Sequence, residues 1–116
     1  MANHRRGEIS ARLNDLDYTL CLTLGALAEL EDAFQAADMV ALTERFASGR
    51  LSARDAVRVI GAGLRGGGHE ISDDDVAAMS ATGGAKAFAE IVVRLLVATF
   101  GESGEAREAT ENPPKP

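Results

Sequence analysis

The sequence predicts a mainly α-helical fold with a minor β component: an N-terminal β-hairpin followed by about five short helices. Apolar and polar residues alternate with a period of two only before residue 24, whereas apolar residues recur at helical spacing from there to residue 100. Aromatic residues make up only 4% of the chain. The core must therefore be built from Ala, Leu, Val and Ile, which favours closely packed helices.

The length of 116 residues allows one domain, which we expect to span residues 7–100. Residues 1–6 are expected to form a disordered N-terminus. Residues 101–116 contain no apolar residue larger than Ala and hold three prolines. This composition, with its glutamates, is typical of a disordered acidic tail.

Two alternating runs predict the hairpin. The apolar residues that share one face are Ile9, Ala11 and Leu13 in the first run, and Tyr18, Leu20 and Leu22 in the second. Asn14 and Asp15 lie between the runs and supply turn chemistry. An isolated hairpin is only marginally stable in water, so this one must pack against the helices.

The first two helices are predicted from a cap followed by residues at helical spacing. Thr23 and Asp38 are suitable N-caps, and Gly49 is a suitable stop for the second helix. The spaced residues are Leu24, Leu27, Leu30, Glu31 and Phe34 in the first helix, and Met39, Leu42 and Phe46 in the second.

The third and fourth helices share one kind of start. Ser52 and Ser72 each stand three residues before an aspartate, which resembles a capping box with Asp in place of the usual Glu. Glycines at 66–68 and 83–84 are expected to end these helices. The predicted inner face of the third helix consists of Ala56, Val57, Ile60 and Leu64.

The last helix is predicted from Ala85 to Phe100 and is apolar around nearly its whole circumference. Only Lys86, Glu90 and Arg94 interrupt this surface. A helix of this kind is buried on all sides, which a domain of this size achieves with difficulty. Either it is the central helix of the core, or another chain covers one of its sides; both interpretations stay open here.

Charge and cysteine content exclude several classes of function. The net charge of −6 repels phosphate backbones, so we expect no nucleic-acid partner. The longest apolar stretch, 91–100, contains Arg94 and is too short to span a bilayer, so we expect no membrane association. The N-terminus lacks the apolar core of a signal peptide, and Cys21 is the only cysteine. Both features predict a cytoplasmic protein.

The string Gly61-Ala62-Gly63-Leu64-Arg65-Gly66 matches a dinucleotide-binding pattern by its letters only. That motif needs a strand before the glycines and a helix after them, whereas these glycines end a helix. We expect no cofactor. The structural interpretation is that Gly61 and Gly63 let another helix approach and that the glycines at 66–68 form a flexible connection.

No set of residues predicts catalysis or metal binding. The aspartates at 73–75 lack the alternation of a calcium loop and are explained by helix capping. His4 and His69 are the only histidines, and we expect His69 to be an exposed loop residue. Without a nucleophile, base and orienting group in a recognisable pattern, the chain is predicted not to be an enzyme, with no catalytic, cofactor-binding or metal-binding residues.

Three stretches carry a family resemblance. They run from Gly7 through Glu31, from Phe46 to Asp55 and from Gly61 to His69. Their order and spacing are similar to a small family encoded in the tail-gene block of gene transfer agents and tailed phages, with the match covering Gly7 to Phe100. That family has been labelled both a tail tube protein and a tail-assembly chaperone.

The resemblance implies a tail-assembly chaperone that binds the tape measure protein, with the tail tube protein as a further candidate partner; a homo-oligomer stays open. The alternative is a structural tube subunit, which would need a larger sheet than two predicted strands. Helix-in-groove binding then predicts contacts on the first and last helices, with core packing as the competing interpretation for each residue. These residues are Leu27, Leu30, Phe34, Phe88, Val92, Leu95 and Phe100.

Overall fold

The computed structural model describes residues 7–101. It confirms a hairpin followed by five helices. The predictions for the two termini concern residues 1–6 and 102–116, which lie outside the described range. The elements are β1 (Glu8–Leu13), β2 (Leu16–Cys21), α1 (Leu24–Phe34), α2 (Met39–Ala47), α3 (Ala53–Gly66), α4 (Asp73–Ala77) and α5 (Ala85–Phe100).

The hairpin turns through Asn14 and Asp15, both with positive φ, which is the backbone that a two-residue turn between twisted strands requires. β2 therefore starts at Leu16, two residues earlier than the alternating pattern predicted. The backbone N–H of Asn14 donates to the Ser80 carbonyl at 2.8 Å, and the backbone N–H of Ser80 donates to Oδ1 of Asn14 at 2.9 Å. They attach the turn to the loop between α4 and α5.

The central helix is α3, which contacts β2, α1, α4 and α5. Val59, Ile60, Ala62 and Leu64 on this helix are almost fully buried. The last helix is therefore not the centre of the core. Its outer side is open within residues 7–101, where Val93 and Val97 are 57% and 41% exposed.

Glycines near the end of α3 permit the close approach of two neighbouring elements, α5 and β2. A Cβ at Gly63 would lie 2.6 Å from Cδ2 of Leu95, which packs against it from α5. A Cβ at Gly66 or Gly67 would collide with a carbonyl oxygen of β2, that of Cys21 or Thr19 respectively. The prediction that another helix approaches α3 at Gly63 is therefore correct. The prediction of a flexible connection is wrong for Gly66 and Gly67, because both lie against the β2 backbone.

All four predicted helix caps are confirmed. Thr23 and Asp38 accept hydrogen bonds from backbone N–H groups in the first turn of α1 and α2. Ser52 and Ser72 each form a complete capping box. In each box the serine hydroxyl and the aspartate three residues later accept hydrogen bonds from backbone N–H groups that an α-helix leaves unpaired.

Two of the apolar residues that predicted α1 and α2 by their helical spacing are exposed: Leu24 (75%) and Met39 (43%). The buried face of α1 is centred on Ala26, Leu27 and Leu30. At 100° per residue, Leu24 lies about 100° from the centre of that face. Met39 lies on the apolar stripe of α2, but in a first turn that the neighbouring elements do not cover.

Candidate functional site

An apolar groove of about 590 Å³ lies between α3, α4 and α5 and is closed at one end by the end of α2. Every lining residue is uncharged. The residues are Phe46, Gly49, Leu51, Ser52, Ala53, Ala56, Val57, Ile60, Val76, Ala77, Met79, Ala85, Phe88, Ala89, Val92 and Val93.

The two long walls are built from the same spacing. α3 contributes residues 53, 56, 57 and 60, and α5 contributes residues 85, 88, 89 and 92 at the same spacing, with Val93 as a fifth lining residue. This i, i+3, i+4, i+7 pattern forms one apolar stripe on an α-helix. The two helices meet where Leu95 packs on Gly63, and the groove occupies the space on the N-terminal side of that contact. Alanines at half of these eight positions leave the space unfilled.

A polar network supports the end of the groove formed by α2 and α3. Arg45 on α2 donates a hydrogen bond of 3.2 Å to Oδ2 of Asp55 on α3. The same oxygen accepts a hydrogen bond of 3.1 Å from the backbone N–H of Ser52. Asp55 is buried, and these two partners satisfy its charge. The network therefore holds the end of α2 against the start of α3.

An aromatic cluster continues from the same end. Phe46, which lines the groove, packs edge-on against Phe34 with ring centroids 5.5 Å apart, and its centroid lies 6.3 Å from that of Phe100. The Arg45 guanidinium lies over the Phe34 ring at 5.3 Å, a cation–π contact. The cluster joins α1, α2 and the end of α5.

Arg65 fixes the α4 wall. Its guanidinium donates to Glu29 at 2.7 Å, to Oδ1 of Asp73 at 3.0 Å and to the carbonyl of Ile71 at 2.9 Å. The hydrogen bond to Glu29 raises the pKa of Arg65, burial opposes the rise, and Asp73 adds to it. Gly61 has no Cβ and so leaves room for the Asp73 carboxylate. The Arg65 guanidinium thus has partners on α1, on α4 and in the loop before α4.

The structure brings only two of the seven predicted contact residues to the groove, Phe88 and Val92. Leu27, Leu30 and Leu95 are buried in the core, and Phe34 and Phe100 belong to the aromatic cluster. Partner contact at these seven positions stays a prediction. Sequence reasoning missed other lining residues, including Val57, Val76, Met79 and Val93. The signal in the sequence that could have identified the two long walls was the i, i+3, i+4, i+7 apolar pattern shared by α3 and α5.

His69 is partly buried, not the exposed loop residue that was predicted. Its ring packs edge-on against Tyr18 at 5.0 Å, and its Nε2 atom is shielded from solvent without a hydrogen-bond partner. Over residues 7–101, the His, Cys, Asp and Glu side chains form no group of three or more that could hold a metal ion. Within that range, too, no helix is long and apolar enough to cross a membrane.

Comparison with known proteins identifies the family. A family model described as phage tail tube protein, GTA-gp10, matches residues 6–102. No curated protein and no solved structure matches the chain. The family match covers most of the chain and agrees with the resemblance to gene transfer agent and phage tail proteins. The chain therefore belongs to the phage tail tube protein, GTA-gp10, family.

Proposed function

We propose that this protein is a tail-assembly chaperone, which binds the tape measure protein of a phage-like particle while the tail is built. The observation that carries the proposal is the groove lined only by uncharged, mostly aliphatic side chains. Open apolar surfaces of this kind mark protein–protein contact sites. The proposal assigns no chemical reaction to the chain and places its action in the cytoplasm, before the particle is complete.

A helix of the partner is the ligand that suits this groove. Amphipathic helices bind by laying an apolar face into a hydrophobic groove, with anchors at i, i+3 or i+4, and i+7. Tape measure proteins, as the family resemblance implies, are long, helical and prone to aggregate. Covering such an apolar face would keep the partner soluble until tube subunits assemble around it.

A structural tube subunit is the second candidate, and it is favoured by the description of the family as a phage tail tube protein. A tube ring joins neighbouring subunits through sheet edges, which present unpaired backbone groups. The sheet described for residues 7–101 has two strands. Gly66 and Gly67 pack against the outer edge of β2, and Arg94 donates a hydrogen bond of 2.7 Å to the Ser10 carbonyl of β1. These contacts at both edges support the chaperone over the tube subunit.

Co-expression with the tape measure protein tests the proposal. We expect the wild-type chain to raise the soluble fraction of the tape measure protein. Ala56→Trp fills the groove and should remove this effect, whereas Ala28→Trp, at an exposed position of α1, should preserve it. A tape measure protein whose solubility is the same with and without the wild-type chain would contradict the chaperone function.

Mass spectrometry of purified particles separates the two candidates. A tube subunit would be present in many copies per particle, whereas a chaperone leaves before the particle is finished. We expect the chain to be scarce in particles and abundant in the cell lysate. Stoichiometric incorporation into particles would favour the tube subunit instead.

A further inference from the structure

We propose that the groove binds an amphipathic helix whose apolar face is flanked by carboxylates. This inference rests on the proposed function and specifies the partner segment that it requires. It combines the uncharged lining of the groove with the charges that stand beside it.

Cations are placed next to the groove. Five cations directly follow a lining residue in the chain, and two of them, Arg58 and Arg94, donate hydrogen bonds to backbone carbonyls. The other three are exposed: Arg50, Arg54 and Lys86. The ion pairs described between residues 7 and 101 involve other arginines, at positions 12, 45 and 65. The three charges beside the groove are thus available to a ligand.

The anions beside the groove stand on its other two walls, α4 and α5. Glu90 follows the lining residue Ala89, and Asp74 and Asp75 precede Val76. The Asp75 carboxylate already accepts the backbone N–H of Ser72 at 3.2 Å. α3 and the loop before it therefore present a basic edge, in a protein whose net charge is −6. A carboxylate of the partner has a complementary charge at this edge.

The walls limit the length of the bound segment. On each wall the lining pattern spans seven residue steps, or about 10.5 Å at 1.5 Å per residue. That length matches two turns of a partner helix. We therefore expect three or four aliphatic anchors within two turns, with Glu or Asp beside them facing α3.

The chain's own segments fit this chemistry poorly. The exposed apolar stripe of α5, at Val93 and Val97, has two cations and one anion beside it, which are Lys86, Arg94 and Glu90. A second copy would therefore bring a net positive charge toward the cations of the groove. Residues 102–116 carry glutamates but no Leu, Ile, Val, Met or Phe. They therefore lack the anchors that the groove requires.

Three designed helical peptides test the inference. They share one length and one apolar face and differ only in the flanking residues, which are Glu, Gln or Lys. Fluorescence anisotropy with the full chain at low salt measures each affinity. We expect the Glu peptide to bind about tenfold more tightly than the Lys peptide, because each exposed charge pair contributes modestly. Added salt should reduce the difference.

Variants locate the effect. The combined variant Arg50→Gln, Arg54→Gln, Lys86→Gln should bind all three peptides with similar affinity, whereas Arg12→Gln, a cation on the hairpin, should retain the preference for Glu. Equal affinities for the wild-type chain, or a preference that survives the combined variant, would overturn the inference. Failure of all three peptides to bind would overturn it as well.

The remaining outcomes concern other occupants and the proposed function. A dimer that Ala56→Trp converts to a monomer would identify a second copy as the occupant and overturn the inference. Displacement of the Glu peptide by a peptide of residues 102–116 would identify that segment as the occupant and would also overturn the inference. Rescue of the tape measure protein without a charge preference contradicts the inference alone, whereas a charge preference without rescue contradicts the proposed function and supports the inference.

Discussion

Arg65 donates two hydrogen bonds to Oε1 of Glu29, at 2.7 and 3.3 Å, and so joins the end of α3 to the middle of α1. The same guanidinium reaches Asp73 and the carbonyl of Ile71 at the start of α4. A five-residue helix such as α4 is not stable by itself, because the free-energy cost of nucleating a helix exceeds the stabilisation that the hydrogen bonds of one turn provide. Arg65 therefore stabilises one wall of the groove from outside it.

Replacing this arginine should destabilise the whole domain. We expect Arg65→Gln to lower the free energy of unfolding by about 1–2 kcal/mol, since charge-assisted hydrogen bonds to three groups are lost but the site is partly solvated. Urea unfolding followed by circular dichroism measures the change. Arg12→Gln is the control, because Arg12 and its partner Asp17 are both exposed, and its effect should stay below about 0.5 kcal/mol. Equal losses in the two variants would contradict the role of Arg65.

Two glycine substitutions should have opposite effects. Gly67→Ala puts a methyl group against the carbonyl oxygen of Thr19, a backbone atom that has little freedom to move. We expect a loss of about 2–4 kcal/mol in thermal or urea unfolding. Gly25→Ala in α1 meets nothing closer than 3.9 Å and should stabilise the protein by up to about 1 kcal/mol. A neutral Gly67→Ala would show that α3 does not approach β2 this closely.

The predicted contact residues that lie in the core should act on stability. Leu30 is 1% exposed, in contrast to Leu24 on the same helix. We expect Leu30→Ala to lower the free energy of unfolding by about 2–5 kcal/mol. Leu24→Ala should cost less than about 0.5 kcal/mol, as surface substitutions usually do. If Leu30→Ala left stability unchanged but reduced partner binding, Leu30 would be a contact residue after all.

A charge inside the groove should reduce binding while leaving the fold intact. Val93 lines the groove but is more than half exposed, so Val93→Glu should change the free energy of unfolding by less than about 0.5 kcal/mol. It should nevertheless abolish capture of the tape measure protein in a pull-down, because a carboxylate is costly to bury against an apolar face. Val40→Glu is the matched control, at a position on α2 that is 67% exposed and not part of the lining. A wild-type yield with Val93→Glu would rule out this groove as the binding site.

Local signals in the sequence predicted the elements well. The caps at Thr23, Asp38, Ser52 and Ser72 are confirmed because a capping hydrogen bond joins groups only two or three residues apart. The strand boundary of β2 was wrong by two residues because the positive φ of Asn14 and Asp15 closes the turn at once.

The groove was much harder to predict. Phe88 and Val92 were singled out on α5, but Ala56 and Val57, which line the opposite wall, had been assigned only to the inner face of α3. An alanine in an apolar stripe looks the same in sequence whether it meets a neighbouring helix or faces an open space. Only the angle at which two helices diverge distinguishes these cases, and that angle depends on contacts far apart in the chain, such as Gly63 with Leu95.

The sequence by itself determined the order of the elements, their caps, the apolar stripes and the family resemblance. Those features depend on residues within a few positions of one another, or on a pattern of letters. The tertiary structure decided that α3 is the central helix, that Gly66 and Gly67 pack on β2, and that an uncharged groove stays open beside α5. These outcomes depend on close packing between distant segments, where the shape of every neighbour sets the space that remains.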